Sequence, residues 1–198
     1  MTTRNKWAPS FFSALLACSA GTASADYAED RARIEDLQAR YLFAFDFGDA
    51  AGYANTFAPD GILNYGAGEI KGREAIAGFI ASGRERTAEA RANPPPGERP
   101  PVGRHIINNI VVTVAADGNS ARGQAYWTHM TSDATGYGTV DFFGHYEDEL
   151  VKIDGEWYFA RRNIYNEAIP EWASRYLNPV TNPSPPPQQR APAAQTER

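Results

Sequence analysis

The 198-residue chain contains one cysteine, Cys18, two methionines and three histidines, His105, His129 and His145. A single thiol excludes an internal disulfide and a multi-thiolate zinc site, so the fold has to rest on its hydrophobic core. An excess of positive charge is also missing. With 19 Lys and Arg against 24 Asp and Glu, the chain lacks the concentrated basic surface that nucleic-acid binding needs, and it offers no attraction to acidic substrates. No hydrophobic run reaches the about 20 residues that a bilayer of about 30 Å requires. The P-loop, the dinucleotide fingerprint, the Ser-centred nucleophile elbow and the His-Glu-x-x-His ligand spacing are absent as well. The length suits one domain with appendages.

What is there begins with Arg4 and Lys6, an apolar run Phe11–Ala17, and Ala23-Ser24-Ala25 ahead of Asp26. This is the order of a secretory signal peptide over residues 1–25, and it predicts a periplasmic or secreted protein. Removing Arg4 and Lys6 with it leaves a net charge of −7. Leu15-Leu16-Ala17-Cys18 resembles a bacterial lipobox, so lipid anchoring through Cys18 is the alternative.

A single folded unit is expected over residues 26–177. Ile34, Leu37, Tyr41 and Phe45 recur every three to four residues, which predicts an amphipathic helix over about 28–47. Phe47-Gly48-Asp49 ends it, and Asp49 is placed to cap a short helix at 50–57. Ala58-Pro59-Asp60-Gly61 reads as a turn, followed by strands at 62–65 and 69–71 and a third helix opening at Gly72-Arg73. Residues 83–103, polar and closing on a proline-rich stretch, predict a long exposed loop, either a lid, a partner surface or a tolerated insertion. Strands are expected at 104–115, 121–130, 140–153 and 157–164, joined as antiparallel hairpins through Asp117-Gly118 and Asp154-Gly155. Residues 178–198 hold six of the fourteen prolines and only Val180 as a large aliphatic residue, so a disordered tail is expected there. The fold class is α+β, with about three N-terminal helices covering one face of a curved antiparallel sheet and a pocket between them.

With no mature cysteine and no nucleophile signature, a His–Asp pair is the remaining chemistry. An imidazole can take up or return a proton near neutral pH, and a carboxylate fixes its tautomer and stabilises the imidazolium. Asp46 lies at the end of the first helix, where the helix dipole disfavours an anion unless a donor compensates. His105 begins the strand after the proline-rich stretch. His129 shares a strand face with Ala121, Gly123, Ala125 and Trp127. A three-histidine metal site lacks ligand spacing, and no metal or cofactor is expected.

Arg33-Ile34-Glu35-Asp36-Leu37, Arg40-Tyr41, Asp46-x-Gly48-Asp49, Phe57-Ala58-Pro59-Asp60-Gly61, Gly72-Arg73-Glu74-Ala75-Ile76, His105-x-x-x-Asn109, Gly144-x-Tyr146-x-Asp148 and Ile153-Asp154-Gly155-Glu156-Trp157 together resemble the SnoaL-like branch of the nuclear transport factor 2-like superfamily. The series covers residues 28–165. It is most similar to scytalone dehydratase, the bile acid 7α-dehydratases and hexachlorocyclohexane dehydrochlorinase. The resemblance implies a cone-shaped fold with a deep apolar pocket, a small hydrophobic ligand, homodimers or homotrimers, and elimination driven by Asp46 and His105 without a cofactor. It further places a second pocket histidine near His129 and a substrate- or water-holding tyrosine on Tyr65; on the reaction expected here Tyr146 joins them in binding or polarising substrate, with Phe45 and Trp127 as apolar wall. Phe45 stands where scytalone dehydratase has a second tyrosine. The superfamily also contains non-catalytic members, so the alternative is a ligand-binding or dimerisation module.

Overall fold

The structure, a computed structural model, describes residues 20–93, 96, 100, 102–132, 136–173 and 177–182, excepting the side chains of 20–25, 87 and 89–91. Most of the expected signal segment, residues 1–19, lies outside the described residues, as does 183–198 of the expected tail.

Helix α1 runs Ala20–Phe47, so its backbone continues through the expected cleavage point between Ala25 and Asp26. Exposed pairs spaced four apart, Arg33–Glu29, Arg31–Glu35 and Arg40–Asp36, support its outer face. Ile34, Leu37, Tyr41 and Leu42 are buried, while Phe45, expected on the same stripe, is 42% exposed. The helix closes in a Schellman motif: Asp49 N–H donates to Ala44 O at 2.8 Å and Gly48 N–H to Phe45 O at 3.1 Å. Gly48 takes the left-handed conformation, φ 68°, that this motif needs. Asp49 then accepts from Gly52 N–H at 2.8 Å and caps α2, Ala50–Asn55.

Strand β1, Phe57–Asn64, includes the four residues expected to form a turn. Phe57 pairs with Phe159 and Ile62 with Arg161, so 58–61 bulge out of a continuous strand; the turn chemistry of Pro59-Asp60-Gly61 is absorbed as a bulge. After β2, Glu69–Lys71, helix α3 spans Arg73–Ala92. This corrects the expected loop at 83–103, because Arg84-Glu85-Arg86-Thr87-Ala88-Glu89-Ala90-Arg91 is built mainly of strong helix formers. The helix stops at Ala92, two residues ahead of Pro94, as the restriction imposed by a proline requires.

The long strands are β3, Gly103–Val114, β4, Ser120–Ser132, β5, Gly138–Ile153, and β6, Glu156–Asn166. Asp154 and Gly155, φ 52° and 84°, make the tight β5–β6 hairpin. The sheet order is β2-β1-β6-β5-β4-β3, antiparallel except for the parallel β1–β6 pair. It is curved and not closed, which leaves β3 as an edge strand.

The helices pack on one face over a core rich in aromatic residues: Tyr41, Tyr53, Phe57, Tyr146, Trp157 and Phe159. Within it Arg162 and Asp148 are fully buried, joined through Nε–Oδ1 and Nη2–Oδ2 at 2.8 Å each. Gln38 donates to Asp148 Oδ2 at 3.0 Å and accepts from Arg162 Nη2. The rings of Tyr41, Tyr146 and Phe159 lie 4.1, 4.1 and 3.9 Å from the guanidinium carbon. Burial works against this charge, but the Asp148 carboxylate outweighs it and raises the Arg162 pKa above the ordinary arginine value.

Residues 178–182, the start of the expected tail, form a turn in which Asn182 N–H donates to Asn178 O at 2.7 Å. Among the described residues no helix is long and apolar enough to cross a membrane.

Candidate active site

The end of α1, the middle of α3, the start of β3 and the end of β4 border a cavity of about 290 Å³. Its walls are Phe45, Phe79, Ile80 and the glycines Gly83 and Gly103; its polar groups are Asp46, Arg84, His105 and His129.

Asp46 and His105 are brought together. Asp46 Oδ1 lies 2.6 Å from His105 Nδ1, and Oδ2 accepts from the His105 main-chain N–H at 2.9 Å. These are the donors that an anion at the end of α1 requires. A carboxylate only accepts, so the ring carries its proton on Nδ1 and presents Nε2 with a lone pair in the neutral form. Phe45 meets the ring edge-on at 5.1 Å between centroids. The side chains of His105 and Asp46 are 16% and 7% exposed, so the pair is shielded but reachable from the cavity.

His129 is directly opposite His105 in the β3–β4 register, and the two rings lie 4.5 Å apart. Its Nδ1 lies 2.6 Å from Oδ1 of Asp141 on β5. The ring sits in the space that a side chain at Gly103 would need, since a Cβ there would come within 2.3 Å of His129 Nε2.

Three residues expected in the pocket are elsewhere. Trp127 stands behind His105, ring centroids 6.1 Å apart, and is buried with its Nε1–H donated to Tyr165 O. Tyr146 stacks on Trp127 at 5.9 Å and belongs to the aromatic core beside Arg162; burial pushes its phenol pKa well up. Tyr65 packs on Phe79 at 4.8 Å, so it supports the wall rather than lining it. Alternation along β4 and β5 identifies the strand face but not the depth of a side chain in the core, and Trp127 and Tyr146 lie deeper than the residues that line this cavity.

Phe79, Ile80, Gly83, Arg84, Gly103 and Asp141 were missed. The first four recur at the three-to-four spacing of a helix face, a legible signal once α3 is continued past residue 82. Asp141 is visible only through a register break: His129 pairs with Phe142 and Met130 with Val140, leaving Asp141 as the extra residue of a bulge.

A larger groove of about 760 Å³ lies on the opposite face of the sheet, lined in part by Tyr126, Phe143, His145 and Leu177. There the ring nitrogens of His145 lie 3.3 Å from Glu147 and 3.2 Å from Glu167. Among the described residues no group of three or more His, Cys, Asp or Glu is arranged to hold a metal ion.

Comparison with known proteins agrees with this architecture. No curated protein matches the sequence. Among solved structures, Rv3472 from Mycobacterium tuberculosis, a protein of unknown function, is 27% identical with a TM-score of 0.58, the match covering 75% of this chain and 77% of that one. A Catenulispora acidiphila protein in complex with S-DNPA is 27% identical with a TM-score of 0.58, over 71% and 95% of the two chains. An NTF2-like protein with a cystatin-like fold from Novosphingobium aromaticivorans, 23% identical, has a TM-score of 0.61 over 75% and 89% and shares the fold. The SnoaL-like domain model matches residues 26–163, and the chain belongs to the SnoaL-like family, which includes polyketide cyclases and dehydratases.

Proposed function

We propose that the protein is an exported, cofactor-independent lyase or isomerase of the dehydratase type, acting on a small, largely apolar cyclic molecule. The observation that carries this reading is His105, held through Nδ1 by Asp46 at 2.6 Å and bordering a cavity of about 290 Å³. A volume at the low end of the about 300–1,000 Å³ of ligand pockets suits a molecule of one or two rings. His105 Nε2 removes a proton from carbon; Asp46 orients the ring and stabilises the imidazolium that forms. Phe45, Phe79 and Ile80 provide the apolar wall, and His129 contacts substrate. The complex of the Catenulispora relative with S-DNPA supports a ligand-holding pocket in this branch of the fold. Association into a homodimer or homotrimer would cover Ile106, Tyr126 and Phe143, which are exposed on the outer sheet face.

The test is a thermal-shift screen of hydrophobic cyclic ketones and alcohols with product analysis of each stabilising compound. Conversion by the wild type, reduced about 10²–10⁴-fold in His105→Ala and Asp46→Asn, is the expected result. Ligands that stabilise the protein and return unchanged identify a binding module instead.

A further inference from the structure

The groove on the outer face of the sheet takes no part in the reaction proposed above, and neither does the proline-rich segment that follows residue 182. The two meet in space. Strands β3 to β6 run side by side in the sheet, and the groove crosses them, with Asn108 on β3, Tyr126 on β4, Phe143 on β5 and Glu167 just past the end of β6 along its lining. Leu177, Asn178 and Pro179 complete that lining. The turn at 178–182 then folds the chain back on itself, since Asn182 N–H donates to Asn178 O at 2.7 Å. Residue 183 therefore starts beside the groove. We propose that Pro183-Ser184-Pro185-Pro186-Pro187 lies along this groove as a polyproline II strip, so that the chain covers its own outer sheet face. The inference is independent of the chemistry assigned to His105.

Length, hydrogen bonding and shape agree with this occupant. Four of the five residues are proline, which fixes φ near −65° and presets a strip that rises about 3.1 Å per residue, hence about 15 Å in all. The three gaps between β6 and β3, at about 4.8 Å each, come to about 14 Å. Proline has no N–H, so the strip brings carbonyl acceptors almost alone. The groove offers the matching donors: the side-chain amides of Asn108 and Asn109 and the hydroxyls of Tyr126 and Thr128. Its apolar groups are open to solvent, Tyr126 being 54% and Phe143 50% exposed. Grooves lined by aromatic rings are the surfaces on which polyproline II segments dock. The composition of 183–198 builds no core of its own, yet such a segment can gain order from a surface that it binds. Attachment to the domain places it at an effective concentration in the millimolar range, about enough for weak docking to hold. Self-association through Tyr126 and Phe143 uses the same rings, so a docked strip and a second copy exclude one another on this face.

The full chain has one cysteine, so Cys18→Ser combined with Gln189→Cys places a single nitroxide two residues beyond the strip. In ¹H–¹⁵N spectra the expected result is broadening concentrated on Asn108 and Asn109, at the β3 end of the groove. Reduction of the nitroxide should reverse it, and Pro185→Gly, Pro186→Gly and Pro187→Gly together should abolish it. Broadening spread evenly over the surface, or none on β3, overturns the proposal. A mixture of ¹⁵N-enriched chains without the label and labelled chains without ¹⁵N tests the other occupant: broadening of Asn108 in that mixture means that another copy fills the groove, and overturns docking within one chain. Trypsin cleavage after Arg190, followed by mass, gives a second readout. Phe143→Ser, Tyr126→Ser and the triple glycine variant should each be cut about tenfold faster than wild type, since cleavage tracks the undocked population, with melting temperatures little changed. Equal rates overturn the proposal. The glycine substitutions lie outside the sheet, so they keep the test decisive if a groove variant does not fold.

Discussion

Two carboxylates, Asp148 and Asp46, hold basic side chains within this one domain, and their surroundings give them different work. Asp148 and Arg162 are both fully removed from water, and the Asp148 oxygens are taken up by Arg162 and Gln38. Asp46 and His105 are shielded but border a cavity, and the ring retains one nitrogen that no hydrogen bond engages among the described residues. The first arrangement holds the helix layer to the sheet. The second can exchange a proton. A buried ion pair is therefore a poor marker of function by itself; what marks the site is donor or acceptor capacity left over at a concave surface. His145 makes the same point on the other face of the sheet, since carboxylates lie close to both of its ring nitrogens.

The contrast can be broken by exchanging which property each substitution removes. His105→Ala and Asp46→Asn should cost about 10²–10⁴-fold in turnover with little change in melting temperature. Arg162→Leu should do the reverse, lowering unfolding free energy in urea by about 3–5 kcal/mol because the Asp148 charge is left buried and unpaired. Its folded fraction should keep its turnover per molecule; a loss beyond the unfolded fraction would tie the core pair to catalysis. Gly103→Ala sharpens the comparison within the cavity. Pushing the His129 ring aside should lower turnover by about 10²-fold while the Asp46–His105 contact persists, and unchanged turnover would show that the ring position is not critical.

The smallest effect concerns Asp30, a third carboxylate at the other end of the helix layer. Burial raises its pKa, but hydrogen bonds from Lys152 at 2.7 Å and Trp157 Nε1 at 3.0 Å outweigh this and hold it below the ordinary carboxylate value. A lowered folded pKa means that its stabilisation is complete above the unfolded value of about 3.9 and is lost as pH falls through the folded value. Asp30→Asn should lower stability by about 1 kcal/mol at neutral pH, with the difference from wild type vanishing in strong acid. A difference that is constant across the acid range would remove Asp30 as its source.

Much of the fold was legible because its signals are local. The alternation of β4, the Asp-Gly turns, the Gly48 stop and the Asp49 cap each depend on a few adjacent residues. The misreadings came where local signals compete. The prolines beyond residue 93 made 83–92 look irregular although those residues favour helix, and Pro59-Asp60-Gly61 was accommodated as a bulge because β6 holds both sides of it in one strand. At the site, Asp46, His105, Phe45 and His129 were named from sequence, while Asp141 was not, since a bulge is a property of two strands in register and not of either alone.

By itself, then, the sequence determined the inventory: one thiol, three histidines, a helical half and a strand half, and hence imidazole and carboxylate as the available chemistry. Only the tertiary structure decided which histidines have a ring nitrogen left over. Sequence spacing does not report strand register, bulges or depth of burial, and these placed His105 and His129 opposite one another, gave each a carboxylate, and surrounded the nitrogens of His145 with glutamates.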